Sequence, residues 1–156
     1  MQKPSTHRRR EIQLTPDEQH ALLHIAPKAA LATLDQDGFP HVVAMSYLAK
    51  DGAIYMTSYA KAQKVLNIRR NPRVGVLIET GERYTDYRGV MVRGYCEIIE
   101  DPPQVETIIQ EIGAKNRDMG TNTRSEAVTR ARKRVILKVT PEKIASWDHT
   151  KLGGRY

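Results

Sequence analysis

The chain contains a single cysteine, Cys96, so no internal disulfide can form. Cys96 lies in an alternating apolar segment, where a buried, inert thiol is expected. One tryptophan, one phenylalanine and seven tyrosines bring the aromatic content to only 6%. Few bases could stack on such a surface, which argues against a barrel that grips single-stranded nucleic acid. No apolar run approaches the roughly 20 residues needed to cross a bilayer. The start, MQKPSTHRRR, has no apolar core of a signal peptide, and cytoplasmic residence is the expectation. There is no GxxxxGK(S/T) phosphate loop, no GxSxG elbow to present a nucleophilic serine, and no HExxH zinc motif. His20 and His24 have the i, i+4 spacing that can bind zinc, but no third ligand is placed by sequence, and no metal site is assigned. Internal repeats and low-complexity segments are also missing.

What remains is enough for one core. The 156 residues are 40% hydrophobic, which suits a single domain, residues 14–156, preceded by a flexible basic arm, residues 1–13. Net charge is +7, but it is local. Lys3, Arg8, Arg9 and Arg10 open the chain with no acid among them. Residues 115–138 carry eight basic side chains against Asp118 and Glu126. These two segments hold more positive charge than the whole chain, so the rest is net acidic. The second segment reads as the polar face of a helix or as an anion-facing surface.

Turn and cap signals divide the chain into short strands with helices between them. Thr15-Pro16-Asp17-Glu18 predicts a capped helix running to about Ile25. Ala29 to Leu34 and His41 to Tyr47 predict a hairpin turned by Asp35-Gln36-Asp37-Gly38. Lys50-Asp51-Gly52 turns again into a strand from Ala53 to Ser58, and a helix follows from about Ala62 to Arg70. Strands are expected at Arg73 to Glu79, Arg88 to Glu100 and Arg134 to Val139, with helices at Gln104 to Ile112 and Ser125 to Lys133. Gly89 and Gly94 suggest bulges or bends. Six or so antiparallel strands with inserted helices predict a mainly β (α+β) fold, a small barrel with peripheral helices. An open antiparallel sheet covered on one face by helices is the alternative.

The stretch Tyr55 to Lys64, YMTSYAKAQK, concentrates hydroxyls and lysines where a strand becomes a helix. Free backbone N–H groups, the positive end of the helix dipole, the Ser58 hydroxyl and the Lys64 ammonium could converge there on one dianion. An ordinary solvated first turn is the other reading. At the far end, SWDHTKLGGRY places the only tryptophan near a chain end, which implies that the tail docks on this subunit or on a partner.

Taken in order, GFPHVVAMSY, MTSYAKAQKVLNIRRNPRV, YRGVMVRGYCEI and SWDHTKLGG resemble the pyridoxamine 5′-phosphate oxidase-like family of flavin and deazaflavin split barrels, from Leu14 to Gly154. The resemblance implies a six-stranded antiparallel split β-barrel. It implies a homodimer with FMN or the deazaflavin coenzyme F420 at the subunit interface, and hydride transfer to or from a small organic substrate. Carried over by position, His41, Val43 and Ala44 would lie along the ring system, and Thr57, Ser58, Lys61, Gln63 and Lys64 would hold the phosphate. Arg88, Gly89, Trp147 and Lys151 would close the pocket. No catalytic acid or base is assigned. Ala62 stands where the family commonly has serine, and Gln63 where pyridoxamine phosphate oxidases often have arginine, so one hydroxyl and one charge are missing. A non-catalytic carrier of flavin, deazaflavin or haem would share these motifs. A nucleic-acid-binding barrel is the remote alternative.

Overall fold

The computed structural model describes residues 6–116 and 124–154. Helix α1 (Thr6–Glu11) precedes α2 (Pro16–Ile25). The predicted capping box at α2 is formed: the Thr15 hydroxyl accepts the Glu18 N–H at 3.2 Å, and the Glu18 carboxylate accepts the Thr15 N–H at 2.7 Å. Strands β1 (Ala29–Leu34) and β2 (Pro40–Met45) form the expected hairpin. Asp35 organises its turn, accepting the N–H groups of Asp37 at 2.9 Å and Phe39 at 2.8 Å. Then come β3 (Tyr47–Lys50), β4 (Ala53–Tyr59), α3 (Gln63–Arg70), β5 (Arg73–Thr80) and β6 (Arg88–Ile99). Helices α4 (Pro102–Lys115) and α5 (Arg124–Ala131) precede β7 (Arg134–Asp148), and short 3-10 turns cover Tyr84–Asp86 and His149–Leu152. The first five residues of the expected arm, the polar loop with Arg117 before α5, and the last two residues of the tail lie outside the described residues.

All seven strands form one antiparallel sheet in the order β2-β1-β5-β6-β7-β4-β3. Strands β2 and β3 sit at opposite ends of that order, yet only Ser46 separates them in the chain. The chain itself therefore bridges the two edges and curls the sheet into a split barrel. The strand expected from His41 to Tyr47 is in fact two strands bent at Ser46, which raises the expected six to seven. A one-residue bend leaves no turn signature in sequence.

The last strand also runs nine residues past the predicted end at Val139. The extension includes Pro141, which cannot donate to a ladder. The structure accommodates it at a register shift opposite Arg93 and Gly94. A Cβ at Gly94 would collide with the Thr140 carbonyl, so glycine is required at this bulge. Gly89 behaves differently from expectation. Its ladder is regular, and its missing side chain makes room for the Trp147 indole across the strand pair.

Two cores result. Leu31, Met56, Val76, Ile78, Val92, Leu137 and Val139 fill the barrel, joined by Leu22 of α2 and by Val65 and Ile68 of α3. Outside the barrel, Val105 and Ile109 of α4 and Ala127 of α5 cover Ile136 of β7, with Tyr55 of β4 at the margin. Cys96 is buried, and burial pushes its thiol pKa up to about 12, as expected of an inert cysteine. The tail docks on its own subunit. Asp148 is buried, its N–H donates to the Ile12 carbonyl at 2.7 Å, and the Lys151 ammonium reaches Glu18 at 2.6 Å. Among the described residues no helix is long and apolar enough to cross a membrane.

Candidate functional site

The end of β4 and the start of α3 form the first half of the site. Successive β-strand side chains alternate in direction. Ser58, 3% exposed, therefore points into the barrel, while Thr57 points outward beside Ile136. The Thr57 hydroxyl is buried and has no hydrogen-bond partner. After β4 the chain turns through Lys61 into α3, whose cap residue, Ala62, offers no side-chain acceptor. The amides of the first turn are left to other acceptors. The exposed Gln63 donates along the helix to the Asn67 side-chain oxygen at 2.8 Å. Asn67, fully buried, donates to Thr33 at 3.0 Å and accepts from Arg70 at 2.6 Å. This network fastens α3 to β1, so the helix start is held rigidly.

Cations gather near that helix start. Lys61 is exposed and Lys64 is half-buried. Burial lowers the Lys64 pKa, and repulsion from the Arg134 guanidinium lowers it further. Arg134, the first residue of β7, pairs in register with Tyr59 and lies 4.2 Å over its ring. Tyr59, Thr129, Arg130, Lys133 and Arg134 line an open cleft of 550 Å³. Among the described residues, Lys61, Lys64, Arg130, Lys133 and Arg134 enter none of the ion pairs. Arg134 falls in the basic run that the sequence offered as an anion-facing surface. The basic run around it was visible, but its contact with Tyr59 is made only by strand pairing across 75 positions.

Strand β2 supplies a second element. It is an edge strand, so alternate backbone N–H and C=O groups carry no ladder bond and remain open to a ligand. His41 and Val43 point inward and Ala44 outward. The His41 Nδ1 is buried without a partner.

The remaining expected residues gather at the opposite end of β7. The Trp147 indole packs on Gly89 and donates from Nε1 to Glu79 at 3.1 Å. Arg88 lies 3.5 Å from the buried Asp148 carboxylate. Lys151 is committed to the capping box of α2, bonding Glu18 and the Gln13 carbonyl. Its ammonium in turn holds the Glu18 carboxyl below the ordinary range. Along β7 this group is about 40 Å of strand from Arg134, at about 3.3 Å per residue. Within one subunit the two halves are not brought together.

A family model described as pyridoxamine 5′-phosphate oxidase matches residues 15–148. The chain belongs to this family. Among solved structures, the conserved hypothetical protein Rv2991 from Mycobacterium tuberculosis is 31% identical, with a TM-score of 0.85 over 99% of this chain and 95% of that one. An F420 reductase is 27% identical, with a TM-score of 0.65 over 80% of this chain and 94% of that one. HutZ, the haem storage protein of Vibrio cholerae, shares the fold at 14% identity, with a TM-score of 0.66 over 83% and 92% of the two chains. No curated protein matches the chain.

Proposed function

We propose that this family member is an oxidoreductase that binds FMN or coenzyme F420 between two copies of the chain and transfers hydride to or from a small organic substrate. One observation carries the reading: Lys61 and Lys64 at the uncapped start of α3, Arg134 beside Lys64, and Arg130 and Lys133 in the cleft that Arg134 shares are five cations without an ion-pair partner among the described residues. Free helix amides and unpaired ammonium and guanidinium groups are what a phosphate requires. The buried, partnerless Thr57 hydroxyl at the end of β4 fits a ligand that supplies the missing partner.

Lys61, Lys64 and the first amides of α3 would hold the phosphate, and the open backbone of β2 at Val43 and Ala44 would bond the ring edge. The ring system, when bound, supplies the hydride chemistry. The protein supplies position, electrostatics and exclusion of water. Coenzyme F420 carries a longer anionic tail than FMN, and the cleft at Arg130, Lys133 and Arg134 offers further positive charge for it. The likeness to an F420 reductase supports the same choice.

The second copy is needed because Trp147, with Gly89 and Arg88 paired beside it on β6, sits at the far end of β7 from Arg134, the neighbour of Lys64. The outer face of the sheet suits such a partner. Ala44, Ala30, Leu77, Met91 and Ala145 are in register across five strands, a flat row of small and apolar side chains. Leu77 and Met91 are 39% and 47% exposed on it. A patch of this kind marks an interface in a soluble protein.

Titration of the purified protein with FMN and with coenzyme F420, followed by fluorescence, tests the proposal. Saturable binding of one of them at one per chain is expected, together with its loss in a monomeric Leu77→Asp variant. Failure of both to bind would overturn the proposal.

A further inference from the structure

His20 and His24 take no part in the site described above and lie on exposed positions of α2. Their Nε2 atoms are 3.0 Å apart, with ring centroids at 4.3 Å. Metal–imidazole bonds of about 2.0 Å need an N···N separation of about 2.8 Å at a square-planar corner and about 3.3 Å at a tetrahedral one. The observed spacing falls between the two. We propose that His20 and His24 form a two-point chelate for a divalent transition ion, binding Cu2+ more tightly than Ni2+ or Zn2+, with water completing the coordination.

The backbone beneath the pair is fixed. The Thr15–Glu18 capping box and the Lys151–Glu18 bond hold the start of α2. Near its end, the Tyr47 hydroxyl donates to the Leu23 carbonyl at 2.8 Å, and Lys115 donates to the Ala26 carbonyl at 3.0 Å. Chelation therefore demands little ordering. In the neutral pair one Nε2–H donates to the other ring. When the ion binds, that proton moves to Nδ1 of its own ring, and both Nε2 lone pairs face the metal. Lys50 and Asp51 line the same cleft as His20, and Lys50 is neutralised by Glu111 at 2.8 Å. No group of three or more His, Cys, Asp or Glu side chains able to hold a metal occurs among the described residues. Water must therefore fill the other positions. Cu2+ leads because imidazole sites follow the Irving–Williams order.

The test is a Cu2+ titration of the full chain by calorimetry, with electron paramagnetic resonance at one equivalent. One saturable site with coupling to two imidazole nitrogens is expected. His20→Ala and His24→Ala should each weaken it at least about tenfold, since each removes the intramolecular second ligand. His149→Ala should leave it unchanged. Both variants replace exposed side chains, and circular dichroism would confirm that they fold. Wild-type affinity in either variant, or no saturable site in the parent, would overturn the proposal.

Discussion

At Lys64 burial and the neighbouring Arg134 act in the same direction, and both make an ammonium there costly until an anion arrives. A phosphate bond to it is charge-assisted, contributing about 1.5–3 kcal/mol. Lys64→Ala should weaken cofactor binding tenfold to a hundredfold, at about 1.4 kcal/mol per decade, in a fluorescence titration. Unchanged affinity would remove Lys64 from the site. The pH dependence follows from the sign of the shift. A lowered pKa means that the ammonium is lost below the ordinary lysine range, so affinity should fall as pH rises toward about 10, earlier than for an unperturbed lysine. Lys64→Arg, which stays charged, should flatten that fall. Gly89 makes a packing prediction instead. A Cβ there would enter the Trp147 indole, so Gly89→Ala should cost about 1–3 kcal/mol in a denaturant melt and alter tryptophan fluorescence. A variant with unchanged stability and emission would show that the indole does not rest on this strand pair.

Among the elements, α3 concentrates the local conflict. Its inner face is well secured by Val65, Ile68 and the Asn67 network, while its N-terminus has no side-chain cap. Ala62→Ser would supply both a cap and the hydroxyl common in the family. It should add about 0.5–1 kcal/mol of stability and tighten cofactor binding severalfold, measured by thermal melts and titration. A stabilised variant with unchanged affinity would place the phosphate away from this helix start. The strand-to-helix junction was legible in sequence because Ser58, Lys61 and Lys64 are close in the chain and cap logic is local. Hairpin and capping residues such as Asp35 and Thr15 were legible for the same reason. The bend at Ser46 was not, and neither was the continuation of β7 past Pro141, because both depend on what the neighbouring strands tolerate. The meeting of Arg134 with Tyr59 is a tertiary pairing that no local pattern encodes. Gly89 was legible as special, but its reason, the indole opposite, lies 58 positions away.

Across the whole molecule, β7 links the two groups of candidate residues. It begins at the cationic cluster and ends at the Trp147 cluster, so in the proposed dimer each chain would contribute a half-site at each end of this strand. Two copies packed through the apolar row would complete each half with its complement. This makes a mixed dimer informative. A Lys64→Ala chain and a Trp147→Ala chain should each bind cofactor poorly as homodimers. In their mixed dimer, one site combines both lesions and the other combines an intact clamp with an intact Trp147 from the other chain. The decisive measurement is a cofactor titration of purified mixed dimers. If the site is shared between two copies, each mixed dimer has one site of wild-type affinity; mixed dimers that bind no better than either parent would contradict a shared site.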